Sequence, residues 1–114
     1  MEHSLGLQPK YYELIKDGVK IYEGRLNDEK RQLISVGDIV VLQKDPERKE
    51  QFKAKVVEKL LFSSFEEMAK CLDAKELGFE NQSPQQIKEI YREFYSEKQE
   101  KEFGVLALKI KVLD

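Results

Sequence analysis

The sequence predicts an α+β fold, a small curved sheet or barrel with flanking helices, and three observations lead there. Capped helical segments alternate with β-branched strands, the order lacks the regular rhythm of a doubly wound sheet, and the last strand alternates apolar and charged residues as antiparallel strands do. At 114 residues the chain fits a single domain over residues 1–114, large enough for a hydrophobic core.

The elements follow in order. Pro9 suits the first turn of a helix and Gly18 closes it, with Tyr11, Leu14 and Ile15 forming one apolar face. Leu26 to Gln32 is polar, with Asn27-Asp28 as a turn signal, and reads as a loop. Gly37-Asp38 then leads into Ile39–Leu42, a β-branched run that predicts a strand buried on both faces. From Phe52 to Phe62, Phe52, Ala54 and Val56 alternate with lysines until the pattern shifts at Val57, which predicts a bend or bulge. Ser64-Phe65-Glu66-Glu67 matches a capping box, opening a helix with Phe65, Met68, Ala69 and Leu72 inward. Ser83-Pro84-Gln85-Gln86 is a second box, followed by Ile87, Ile90, Tyr91 and Phe94 at helical spacing. Phe103 to Val112 reads as a sheet-closing strand, with Leu106, Leu108, Ile110 and Val112 on one face and Lys109 and Lys111 on the other.

Composition narrows the function. Ile39–Leu42 is bracketed by Asp38 and Gln43, far short of the roughly 20 apolar residues that span a bilayer. The N-terminus lacks the basic start and apolar stretch of a secretory signal, so a cytoplasmic protein is expected. Cys71 is the only cysteine, so no internal disulfide can form. With one histidine it cannot make a Cys-rich zinc site, and no acidic loop has calcium-ligand spacing, so neither metal nor cofactor is expected. The formal charge of −2 does not advertise nucleic-acid binding. The mixed segments Lys44–Glu50 and Glu97–Glu102 read as solvated loops or helix ends, so any basic site must be local. His3 falls in a terminal segment where disorder is common, and Cys71 has no partner in sequence that argues for reactivity.

The chemistry concentrates after the first helix. In Asp17-Gly18-Val19-Lys20-Ile21-Tyr22-Glu23-Gly24-Arg25 an ammonium and a guanidinium can hold phosphate or a carbonyl oxygen, and a carboxylate can accept a proton. Ion pairing across a strand start is the plainer reading of the same residues. In a regular strand Glu23 and Arg25 share a face, so Lys20 must precede the regular part, and Gly24 can mark a bulge or a close approach. Tyr22 offers a ring for base stacking, whereas Tyr91 lies on an apolar helix stripe that suits core packing.

Several motifs in fixed order resemble the ASCH domain. They are Gly18-x-Lys20-x-x-Glu23-x-Arg25, Val36-Gly37-Asp38 before a strand, Ser64-Phe65-Glu66-Glu67-Met68, and Tyr95 followed by Phe103-Gly104-Val105-Leu106-Ala107-Leu108. The resemblance implies a PUA-like β-barrel of about five or six strands and a cleft, lined by the motif residues Lys20, Glu23 and Arg25, that accepts RNA or a modified nucleoside, with Tyr22 beside them as the stacking candidate. One branch of that family hydrolyses acetylcytidine with a lysine, a threonine and a glutamate, which fall here on Lys20, Glu23 and Glu80. No threonine occurs in the chain, so an amidohydrolase would use Glu23 to activate water while Lys20 polarises the acyl oxygen. Glu80 alternatively places negative charge ahead of the helix that begins near Pro84. Larger members accompany transcription coactivators, which adds an adaptor in a transcription or translation-related complex as a further expectation.

Overall fold

The computed structural model describes residues 1–113. In chain order its elements are β1 (Glu2–Leu7), α1 (Pro9–Lys16), β2 (Tyr22–Leu26), α2 (Glu29–Gln32), β3 (Ile39–Lys44) and β4 (Gln51–Phe62). They continue with α3 (Phe65–Cys71), α4 (Ala74–Leu77), α5 (Pro84–Arg92), α6 (Glu97–Phe103) and β5 (Val105–Val112). The strands make a single sheet in the order β1-β3-β4-β5-β2, curled into a half-barrel whose edges are β1 and β2. Every pairing is antiparallel except that of β1 with β3. The register of β4 against β5 slips between Val56 and Glu58, the bulge that the break in alternation at Val57 predicts.

Both faces of the sheet are covered, which is why β5 is apolar at successive positions. Leu106, Leu108 and Ile110 turn to one face, where Leu5, Leu7, Val40, Leu42, Ala54 and Val56 meet Tyr12 and Ile15 of α1. Val105 and Ala107 turn to the other, under Phe65, Met68 and Ala69 of α3 and Ile87 and Tyr91 of α5. β5 therefore runs inside the sheet, between β4 and β2, rather than closing it.

Local chemistry sets the helix starts. Ser83 and Gln86 form the full reciprocal box, and Ser96 with Gln99 forms another at α6. At α3 the Ser64 oxygen accepts from Glu67 N–H, but the Glu67 carboxylate reaches one residue further back, accepting from the N–H and hydroxyl of Ser63. Further expectations are corrected, and Glu97–Glu102, read as solvated loop or helix end, lies in helix α6. The stretch from Leu26 to Gln32 holds the end of β2 and the short helix α2, capped by Asp28. In α1 the buried side chains are Tyr12 and Ile15, with Tyr11 and Leu14 half-buried. His3 lies in β1, where its Nε2 is 2.8 Å from Asp38 Oδ2 and Leu5 and Leu7 alternate into the core. Among the described residues no helix is long and apolar enough to cross a membrane.

Gly24 shows how tightly β2 is overlaid. A Cβ there would stand 2.6 Å from Tyr91 Oη and 2.9 Å from Met68 Cε, so only a bare backbone fits under α3 and α5. Gly24→Ala is expected to cost about 1–3 kcal/mol through overpacking, read as a lower urea midpoint at unchanged slope. An equal or higher midpoint, as alanine gives in an unobstructed strand, would contradict this packing.

Candidate functional site

The seam between the two sheet edges opens into a cavity of about 370 Å³. That volume lies within the range of roughly 300–1,000 Å³ of small-molecule sites. Lys20, Glu23 and Arg25 all line it, and they form one buried chain of charges.

Lys20 sits ahead of β2 and is 2 % exposed. Its Nζ donates to Tyr22 O at 2.5 Å and Leu77 O at 2.6 Å, and lies 3.3 Å from Glu23 Oε1. Three acceptors match the three N–H groups of an ammonium, leaving none for a ligand. The stem packs where Gly78 has no side chain, since a Cβ there would be 2.8 Å from Lys20 Cδ. The rings of Tyr11 and Phe79 flank the ammonium at 5.8 and 5.7 Å.

Glu23 takes Lys20 on one oxygen and, on the other, the Arg25 Nε–H at 2.7 Å. Arg25 then spans the seam, with Nη2 donating to Gly6 O of β1 at 2.7 Å. Its Nη1 has no protein hydrogen bond among the described residues, so Arg25 keeps donors for a ligand.

Burial and charge oppose each other along this chain. Burial pushes the Glu23 carboxyl upward, but the charges and hydrogen bonds of Arg25 and Lys20 outweigh it and hold the group below the usual carboxylate range. Burial pulls the Lys20 ammonium down, and Glu23 offsets only part of that. For Arg25 burial also works downward, yet the Glu23 carboxylate prevails and raises it.

A wall of rings adjoins the charges. Tyr91 stacks on Phe65 at 4.1 Å, Phe65 stacks on Tyr95 at 5.5 Å, and Phe79 meets both Tyr91 and Tyr11 edge-on at 5.5 Å. Tyr91 thus serves the core, where it is 8 % exposed, and also lines the cavity. Burial raises its phenol well above the ordinary value, and the Glu23 charge adds to this, so the hydroxyl keeps its proton. Phe94, read from sequence as part of the buried stripe, is 57 % exposed and lines the cavity. Its place at the end of the α5 stripe was its only signal.

Two anticipated residues stand elsewhere. Tyr22 packs half-buried against the cluster under α3 and α5, on the face of β2 away from Glu23, and does not line the cavity. Glu80 is exposed in the turn after Phe79 and is not among the lining residues either. Among the described residues no group of three or more His, Cys, Asp or Glu could hold a metal ion.

A half-barrel with helices on its outer face and a cavity at its open seam defines a PUA-like module. The ASCH domain family model matches residues 5–114, and the chain belongs to that family. The chain is similar to the crystal structure of hypothetical protein PH0355, at 39 % identity and a TM-score of 0.89 over 99 % of this chain and 100 % of that one. It is also similar to the solution structure of protein PF0455 from Pyrococcus furiosus, at 37 % identity and a TM-score of 0.73 over 100 % and 99 %. No curated protein matches the chain.

The lowered Glu23 pKa has a sign that can be checked. A carboxyl depressed in the folded state contributes stability above its unfolded value of about 4.3, and that contribution is lost as pH falls through the folded value. Glu23→Gln should therefore be less stable at neutral pH by about 3–5 kcal/mol, because two cations lose their buried partner. It should also lack this part of the acid transition. Urea unfolding at a series of pH values tests this, and parallel profiles for the two proteins below about pH 4 would contradict it.

Proposed function

We propose that the cavity receives a base of RNA or a modified nucleoside, held between the aromatic wall and the Arg25 guanidinium. The observation that carries the reading is Arg25 itself, fixed at both Nε and Nη2, with Nη1 unused by the described residues, and lining a cavity together with Tyr91, Tyr95 and Phe94. A flat ring with polar edges satisfies both sides: the rings supply stacking and the guanidinium donates to an edge or phosphate oxygen. The lining also supports an anionic ligand. It contains five basic residues and two acidic ones, a local charge of +3 within a chain of net charge −2.

Lys20 and Glu23 act in this reading as the mount for Arg25. A carboxylate held below its usual range by two cations is a weak proton acceptor, and Glu80 stands outside the cavity, so the geometry favours binding over amide hydrolysis. Incubation with acetylcytidine is expected to release no cytidine above a protein-free control, by chromatography. Release above that control would reinstate the hydrolase.

Binding is tested by fluorescence anisotropy with a labelled single-stranded oligoribonucleotide of random sequence. Affinity should fall as salt rises. Phe94→Ala should weaken it by about 1–3 kcal/mol, the cost of one lost base stack. Phe94 is exposed, so the fold should tolerate its loss. Equal affinity for variant and wild type would remove the aromatic wall from recognition.

A further inference from the structure

The mouth of the cavity carries cations that the Lys20–Glu23–Arg25 chain does not use. Lys30 and Arg31 come from α2, and Arg48 comes from the turn between β3 and β4, so two distant segments deliver like charges to one opening. Like charges repel, and an anion bound among them relieves that repulsion.

The acidic residues present do not fully supply one. Arg48 donates Nε–H to Asp45 Oδ1 at 2.7 Å, which fixes the side chain and leaves its terminal nitrogens free of that carboxylate. Arg31 Nη1 reaches Asp28 Oδ2 only at 3.5 Å, and among the described residues Arg31 Nε and the nearby Asn27 Oδ1 are both buried without a hydrogen-bond partner. What a ligand can meet is the terminal N–H groups that Arg31 and Arg48 leave without a close protein acceptor, and an anionic oxygen is the natural complement of a guanidinium.

Gly6 brings the arginines together. Its carbonyl accepts from Arg25 Nη2, and its missing side chain admits Arg48, whose Cζ would lie 2.8 Å from a Cβ built there. Two guanidinium groups thus meet at one residue of β1, each holding a carboxylate by its Nε. Arg48 also adopts a left-handed backbone, φ 57°, a conformation uncommon for a residue with a side chain.

We propose that Arg48 and Arg31, with Lys30 beside them, form a subsite for a phosphate ester, so that the cavity takes a nucleotide in preference to a free nucleoside. The proposal rests on the base-binding reading above and adds to it the class of ligand. The phosphate can belong to a mononucleotide or to the backbone of a strand, and the chemistry at the subsite is the same.

The test is a nuclear magnetic resonance titration of the wild-type chain with the four ribonucleosides, their 5′-monophosphates and a random hexaribonucleotide. At least one monophosphate should bind about tenfold or more tightly than its nucleoside, the size of effect that charge-assisted contacts to phosphate produce. Arg48→Ala and Arg31→Ala should each narrow that gap while leaving nucleoside affinity unchanged. Lys20, Glu23 and Arg25 stay intact in both variants, so the floor of the cavity serves as an internal control. A hexanucleotide that binds more tightly than every monophosphate, with the gain lost in both variants, supports a strand backbone as the source. A monophosphate that binds as tightly as the hexanucleotide, with the same loss, supports a free nucleotide. Nucleosides that bind as tightly as their monophosphates, or variants that weaken both alike, would overturn the phosphate subsite and leave the base site standing. Absence of binding by all three probe classes would overturn the base site and the subsite with it.

Discussion

The carboxylate of Glu23 is the point on which the seam of the half-barrel depends. One oxygen faces the Lys20 ammonium and the other accepts from the Arg25 guanidinium, and the two cations extend the link to Leu77 O and Gly6 O. A single acidic side chain thereby connects the end of α4, the edge strand β2 and the opposite edge strand β1. The sheet is not closed by strand pairing between its edges. Side-chain hydrogen bonds to backbone carbonyls bridge that gap instead. Buried charges are tolerated here because each is met: Lys20 has three acceptors and Glu23 two cations.

The same chain divides the polar groups of the cavity into those already committed and those still available. Lys20 has used every donor on the protein, so its charge shapes the floor without reaching a ligand. Arg25 is held at two nitrogens and open at the third, which fixes the orientation of a planar donor. Preorganisation of this kind reduces the entropy lost on binding. The stacked rings of Tyr91, Phe65 and Tyr95 are rigid for a different reason, since α3 and α5 pack directly over Gly24 and Ala107. Charge and aromatic surface thus meet in one cavity because edge strand and helix layer are locked together.

Much of the fold was legible because its signals are local. Serine followed three residues later by glutamine marks a helix start whatever lies elsewhere, as at Ser83, and a break in two-residue alternation marks a bulge, as at Val57. The equivalent signal at Ser96 was hidden by the dense charge of Glu97–Glu102. β1 was not legible, because two alternating leucines are too short a pattern and its partner is parallel β3, more than thirty residues away in register. Tyr22 and Phe94 exchanged expected places: Tyr22 lies beside the charged motif but faces the helices, while Phe94 ends an apolar stripe yet emerges at the cavity.

By itself the sequence determined the α+β class, most strand and helix positions, and the identity of the Lys20, Glu23 and Arg25 motif, since spacing, caps and alternation depend on neighbours along the chain. Only the tertiary structure decided what those charges do. Whether an ammonium is saturated depends on the carbonyl of Leu77, and whether a guanidinium spans a seam depends on Gly6. The gathering of Lys30 and Arg31 with Arg48 at one mouth was likewise invisible, because electrostatic surroundings are set by distance in space and α2 lies far along the chain from the turn that carries Arg48.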